Sequence, residues 1–139
     1  EPGYLGAIQA FSVYQPNFKP ITLAEEGLDL AALDALLEQG SSARLLYGVP
    51  NFQNPSGVSY SRANREALAE RLVRHDLLMV EDDPYGELRF EGDSLPYIGG
   101  TALPHGVRFL DTGWGWQATV LVSSGLAVLA AALDAAGRG

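Results

Sequence analysis

Leu77-Leu78-Met79-Val80-Glu81-Asp82-Asp83-Pro84-Tyr85-Gly86-Glu87-Leu88 decides how the rest of the chain is read. Four apolar residues in a row predict a strand buried on both faces, the kind found in parallel sheets rather than in half-exposed hairpins. Three carboxylates, Glu81, Asp82 and Asp83, follow before a proline ends the strand. A carboxylate in that position is partly desolvated and holds its charge comfortably only beside a cation. Asp82 is therefore a candidate ligand-binding group, although it could equally be a helix cap or a solvated loop end. Asp83, next to Pro84, is expected to face solvent. Tyr85 stands three residues further on, where its phenol can return over whatever Asp82 meets.

Upstream, Arg44 to Val49 reads as a second buried strand. It leaves through Pro50-Asn51-Phe52-Gln53-Asn54-Pro55-Ser56-Gly57, where two prolines and a glycine fix a rigid turn and hold Asn54 out of helical geometry. By itself this is a turn sequence; its amide is also placed to donate to a fixed acceptor. Helical patterns fill the spaces between strands. Leu5, Ile8 and Phe11 predict a helix over residues 3–14, and Pro16 and Pro20 bracket an extended piece. Asp29 caps a second helix whose apolar face is Leu30, Leu33, Leu36 and Leu37, and Gly40 offers its left-handed stop. Ser61 caps a third, with Leu68, Leu72 and Val73 inward and Arg62, Arg65, Glu66, Glu70 and Arg74 toward water. A further strand is expected at Val107 to Asp111. Strands alternating with amphipathic helices indicate an α/β fold, three-layered, with a mostly parallel sheet. Ligands in such sheets bind beyond the carboxyl ends of the strands. Asn54, Asp82 and Tyr85 are expected to converge there.

Composition narrows the classes. A chain of 139 residues, 47% apolar, suffices for one compact domain with a core. Seventeen acidic residues against nine basic ones give a formal charge of −8, and no basic run offers a footprint for nucleic acid. There is no cysteine, so disulfides, thiolate metal sites and cysteine nucleophiles are excluded. His75 and His105 lack ligand-like spacing and read as surface residues rather than metal ligands. No apolar stretch reaches the roughly 18 residues of a membrane span, and Glu1-Pro2-Gly3-Tyr4 has no signal-peptide character. The expectation is a soluble cytoplasmic protein. The opening residues also read as mid-chain sequence, so a fragment of a longer protein is expected.

Four segments, in order and suitably spaced, carry a resemblance: Glu1-Pro2-Gly3-Tyr4-Leu5-Gly6-Ala7, Glu25-Glu26-Gly27-Leu28-Asp29, Val49 to Gly57, and Glu81 to Phe90. Together they resemble the fold-type I aminotransferases of class I/II, dependent on pyridoxal 5′-phosphate (PLP), and among them the aminoadipate and kynurenine aminotransferase branch. The resemblance spans residues 1–112 and implies part of the large domain of that fold. It implies that Tyr4 is the aromatic near the cofactor ring, that Asn54 and Tyr85 hydrogen-bond the ring's 3-oxygen, and that Asp82 pairs with the ring nitrogen. Tyr4 is also compatible with ordinary packing in the first turn of a helix.

The pattern breaks after Val107-Arg108-Phe109-Leu110-Asp111-Thr112-Gly113. The family continues into a Ser-Phe-Ser-Lys type segment, whose lysine condenses with the cofactor aldehyde, and then a Gly-Leu-Arg whose arginine assists the phosphate. Here stand Trp114-Gly115-Trp116-Gln117-Ala118-Thr119 and Gly125-Leu126-Ala127, and the one lysine of the 139 residues is Lys19. No catalytic residue is assigned. Residues 113–139 form a separate tail, a strand at Ala118 to Val122 followed by an alanine-rich helix from Ser123-Ser124-Gly125. That helix start is loosely similar to the phosphate-binding turn of related PLP enzymes; the plainer reading is out-of-family sequence made helical by Leu126, Leu129 and Leu133. The function implied is amino transfer between an amino acid and a 2-oxo acid, with this chain inactive in isolation and self-associating or homodimeric. Two other classes stay open: an aminotransferase-like effector domain of a transcription regulator, and a non-catalytic remnant of the fold. The substrate is not legible.

Overall fold

The computed structural model describes residues 3–98. The strand expected at Val107 to Asp111, the tail from Gly113 with Ser123 and Ser124, and His105 lie outside the described residues. Helix α1 (Leu5–Ser12) is followed by an irregular exposed stretch and a short antiparallel hairpin of β1 (Leu23–Ala24) and β2 (Gly27–Leu28). Then come α2 (Leu30–Glu38), β3 (Leu45–Gly48), α3 (Arg62–Arg74), β4 (Leu78–Glu81) and a single 3₁₀ turn at Gly86–Leu88. Strands β3 and β4 pair in parallel, Leu45 opposite Leu78 and Gly48 opposite Glu81. With α3 as the crossover they form a β-α-β unit, as the alternation of buried strand and amphipathic helix predicts. Among the described residues no helix is long and apolar enough to cross a membrane.

The helix signals act as their chemistry requires. The Asp29 carboxylate accepts from the Ala32 amide at 3.0 Å and starts α2; the Ser61 hydroxyl accepts from the Asn64 amide at 3.2 Å and starts α3. Gly40, at φ +78°, ends α2 in the left-handed region. Leu33 is buried from α2, and Leu68, Ala69 and Leu72 from α3. They close with Leu28, Tyr60, Leu77, Met79 and Ile98 into one apolar cluster. The first helix is shorter than expected, and its Leu5 is turned out to solvent while Ala7 and Phe11 are buried.

Two side-chain contacts set how the helices sit. Asn64 on α3 brackets the backbone of Leu28, accepting from its amide at 3.2 Å and donating to its carbonyl at 2.9 Å. Gly27 makes that approach possible, since a Cβ there would lie 2.6 Å from the Asn64 Oδ1, and φ is +134°. On the other side, Arg71 forks onto Asp34 of α2, Nε and Nη2 each 2.7 Å from a carboxylate oxygen. The fork holds the Asp34 carboxyl below its usual range, the hydrogen bond outweighing the opposing effect of burial.

The largest departure from the sequence reading is Arg65, expected to face water and found fully buried. It lies on the stripe of Leu68 and Leu72, one and two helical turns earlier, whereas Val73 falls off that stripe and is exposed. Its guanidinium donates through Nε to the Tyr60 carbonyl at 3.0 Å and through Nη1 to the Pro96 carbonyl at 3.1 Å. Nη2 reaches the Pro50 carbonyl at 3.0 Å and the Asn51 Oδ1 at 2.7 Å. Nη1 also stands 3.5 Å from the Glu81 carboxylate, whose Oε2 accepts from the Ile98 amide at 2.9 Å. Burial works against the arginine's charge and Glu81 works for it. Arg65→Met takes the donor from the Tyr60 carbonyl and the Asn51 amide oxygen and the counter-charge from Glu81, so urea denaturation should show a loss of about 3–5 kcal/mol. Arg65→Lys should recover little of it, because an ammonium cannot reproduce the planar fork.

Candidate functional site

The parallel pairing carries both candidate loops to one edge of the sheet. Strand β3 ends at Gly48 and β4 at Glu81, and the Asp82 amide donates to the Gly48 carbonyl at 2.9 Å, extending the ladder by one step. Asp82 thus leaves the sheet beside the exit of β3. The exit loop closes on itself: the Tyr60 amide donates to the Pro50 carbonyl at 2.8 Å. Inside it, buried Gln53 accepts from the Ser56 amide at 3.1 Å and donates to the Asn54 carbonyl at 2.6 Å. Gly57 sits at φ +74°, and Phe52, at φ +47°, packs under the Arg89 guanidinium at 4.8 Å from its ring centroid. Asn54 is exposed on this turn, joined to Pro55 by a cis peptide bond.

Asp82 is half-buried, and the Tyr47 hydroxyl donates to its Oδ2 at 2.7 Å. Burial raises the Asp82 carboxyl above its usual range, the Tyr47 hydrogen bond opposes that shift, and the neighbouring charge of Asp83 adds to it. The Tyr47 phenol is driven well above the ordinary tyrosine range, chiefly by burial and then by the Asp82 charge. It therefore keeps its proton and remains a donor. Tyr47 is held edge-on by Phe11 of α1, ring centroids 5.7 Å apart.

Tyr4, immediately before α1, lies close enough to Tyr47 to act on its phenol electrostatically. Its ring covers Gly6, where a Cβ would come within 2.7 Å of the Tyr4 ring. Tyr85 is half-buried at the head of the 3₁₀ turn, its carbonyl accepting from the Leu88 amide at 2.9 Å. The structure thus joins Asp82 to Tyr47 by a hydrogen bond, with Tyr4 acting on Tyr47 only through its charge. No hydrogen bond links Asn54, Tyr85 and Asp82 to one another among the described residues. Asp83 differs from the expectation of a solvent-facing group: it is half-buried, and its Oδ1 is fully covered without a hydrogen-bond partner among the described residues. Gly86 makes room for it, since a Cβ there would collide with the Asp83 carboxylate. No group of three His, Cys, Asp or Glu residues suited to a metal occurs among the described residues, and His75 is exposed.

Tyr47 was not legible as part of this site, because a tyrosine within Leu45-Leu46-Tyr47-Gly48 looks like strand filler. Arg65 did carry a signal, its helical spacing from Leu68 and Leu72, but charge normally assigns such a residue to the solvent face.

Residues 1–126 match the family model for aminotransferase class I and II. The chain belongs to that family. Among curated relatives, aromatic-amino-acid aminotransferase 1 of Thermococcus litoralis is 41% identical over 101 residues, covering 70% of this chain and 24% of the relative. The 2-aminoadipate transaminase of Thermus thermophilus is 42% identical over 97 residues, covering 70% of this chain and 24% of its own. The solved structure of Pyrococcus horikoshii kynurenine aminotransferase, a complex with PMP, superposes with a TM-score of 0.69 at 38% identity. It covers 78% of this chain and 28% of that one. The α/β fold is therefore that of the PLP-dependent aminotransferases, and the chain spans about a quarter of the length of these relatives.

The raised Asp82 carboxyl gives a test with a definite sign. Its folded value lies above the unfolded 3.8, so ionising it costs stability, and that cost grows as pH rises from 3.8 through the folded value. Asp82→Asn removes the charge and leaves an oxygen for Tyr47. The variant should be at least as stable as the wild type at about pH 7 in urea denaturation, and its advantage should vanish below 3.8.

Proposed function

We propose that these residues form the ring-side wall of a PLP site in an aminotransferase that moves an amino group between an amino acid and a 2-oxo acid. The observation that carries the reading is Asp82: a desolvated carboxylate just past a strand end, with Oδ2 taken by Tyr47 and no other hydrogen bond to its side chain among the described residues. One open oxygen in a partly dry setting suits a cationic N–H donor, and a protonated pyridine nitrogen is one. Family membership supports the same assignment, and the related kynurenine aminotransferase holds PMP.

In this reading Asp82 holds the ring nitrogen, Asn54 and Tyr85 donate to the 3-oxygen, and the exposed ring of Tyr4 covers one face of the cofactor. When bound, PLP supplies the electron sink for the bond broken at the α carbon of the amino acid. The chain's own part is to orient the ring and keep its nitrogen charged. Within the 139 residues the one lysine is Lys19, exposed between α1 and β1 and remote in sequence from the ring-binding motifs. The chemistry of amino transfer at a lysine is therefore not assigned to this segment. The reading extends to a cytoplasmic enzyme that self-associates, a proposal supported by exposed Leu5, Val13, Phe18 and Phe90.

Pyridoxamine 5′-phosphate, which has no aldehyde and needs no lysine, is the probe for the binding half. Fluorescence titration should show saturable binding, weakened about tenfold by Asp82→Ala or Asn54→Ala, each of which removes a hydrogen bond to the ring. Unchanged affinity in both variants overturns the assignment. The isolated chain mixed with PLP, an amino acid and 2-oxoglutarate should not exceed the turnover of free PLP. A borohydride-trapped adduct on Lys19 accompanied by faster turnover would show that Lys19 serves after all.

A further inference from the structure

We propose that Tyr47 is a positioning residue that decides on which side of the Asp82–ring contact the proton rests, keeping it on the ring nitrogen. The inference rests on the cofactor reading above and deepens it. A carboxylate beside a protonated pyridine has two nearly equivalent arrangements. In one the proton stays on nitrogen and the pair is ionic; in the other it has crossed to oxygen, leaving a neutral ring and a carboxylic acid. The step moves one proton from ring nitrogen to Asp82 and no electrons. Whatever stabilises the carboxylate holds the proton on the ring.

Within the described residues that stabilising group is Tyr47. Its hydroxyl lies 2.7 Å from Asp82 Oδ2, within the range of a charge-assisted O–H···O⁻ contact. Burial and the charge of Asp83 both push Asp82 toward its neutral form, and the Tyr47 hydrogen bond is what opposes them. The donor itself is fixed. Tyr47 lies on β3 in register with Val80, two residues before Asp82, and the Asp82 amide is tied to the next β3 residue, Gly48. Phe11 packs edge-on against its ring. The groups that face the Tyr47 phenol are Asp82, Tyr4 ahead of α1, and Tyr60 beyond the exit loop, whose own phenol burial pushes up to about 12. None of them offers Asp82 a cation. With Oδ2 occupied, the contact to a ring N–H falls to the other oxygen, so the hydroxyl also orients the carboxylate.

Tyr47→Phe removes the hydroxyl and keeps the ring that packs on Phe11. In the ligand-free chain, carbon-13 detected titration of the Asp82 carboxyl should move upward by about one pH unit in this variant, a tenfold change in proton affinity. An unmoved Asp82 overturns the proposal without involving any cofactor. With pyridoxamine 5′-phosphate bound to the full chain, the near-ultraviolet band of the hydroxypyridine ring reports protonation of its nitrogen. The wild type should hold the ring protonated to a higher pH than free pyridoxamine phosphate. Tyr47→Phe should instead shift the proton within the pair, cutting the ratio of protonated to neutral ring on the acid side of that midpoint about tenfold, and Asp82→Asn should bring the midpoint to the free value. If Tyr47→Phe keeps the wild-type ratio while Asp82→Asn moves the midpoint, the cofactor site stands and the role of Tyr47 falls. If Asp82→Asn also titrates as the wild type, the ring-nitrogen assignment falls and the proposal falls with it.

Discussion

A buried arginine holds this segment together. Arg65 sends its fork into the carbonyls of Pro50, Tyr60 and Pro96 and the amide oxygen of Asn51, with Glu81 as counter-charge. Those acceptors belong to the two ends of the β3 exit loop, to the last residue of β4 and to the chain beyond the 3₁₀ turn. Without Arg65 the buried Tyr60 carbonyl and the Asn51 amide oxygen would lose their donor, a costly arrangement. The planar guanidinium satisfies them from one point and fixes their relative positions. The desolvation of its charge is offset only because nearly every donor is used. Geometry, rather than the ion pair by itself, gives the residue its weight.

The candidate site follows from that anchoring. With Glu81 gripped on one side of β4, the next residue, Asp82, continues the ladder onto Gly48 and turns its carboxylate toward Tyr47. Adjacent acids on one strand end thus have opposite assignments: Glu81 is structural, inside the arginine network, and Asp82 stands at the edge where a ligand can meet it. Ionising Asp82 in a half-buried position costs folding free energy in the absence of a cation, and Asp83 adds to that cost. Such a group gains from a cationic partner, which is what the proposed ring nitrogen would supply.

Around this centre the remaining contacts are local and directional. Asn64 on the backbone of Leu28 and Arg71 on Asp34 set α3 against β2 and α2. Each ties a helix to a neighbour that the apolar cluster alone would allow to slide. Gly27 and Gly86 are needed for a related reason: side chains press on their backbones, Asn64 in one case and Asp83 in the other.

Much of the architecture was legible in the chain because it depends on short-range rules. Caps at Asp29 and Ser61, the stop at Gly40, the apolar runs of β3 and β4 and the spacing of Leu68 and Leu72 each act within a few residues, and each formed the element it signalled. The resemblance carried by Tyr4, Asn54, Asp82 and Tyr85 was likewise readable, since it rests on the order of motifs. Other features depended on which distant residues meet. Arg65 was assigned to water because a charge on a helix is normally solvated, and only the convergence of carbonyls from residues 50, 60 and 96 makes its burial tolerable. Asp83 turned inward by a similar neighbour effect, whereas Val73 faces outward because it lies off the helical stripe of Leu68 and Leu72. Sequence by itself determined helices α1 to α3 and the parallel strands β3 and β4, and singled out Asp82 as the candidate ring-side carboxylate; the β1–β2 hairpin was not foreseen. Tertiary structure alone decided that Tyr47, 35 residues from Asp82, is its hydrogen-bond partner, because parallel pairing brings together strand ends that no local spacing connects.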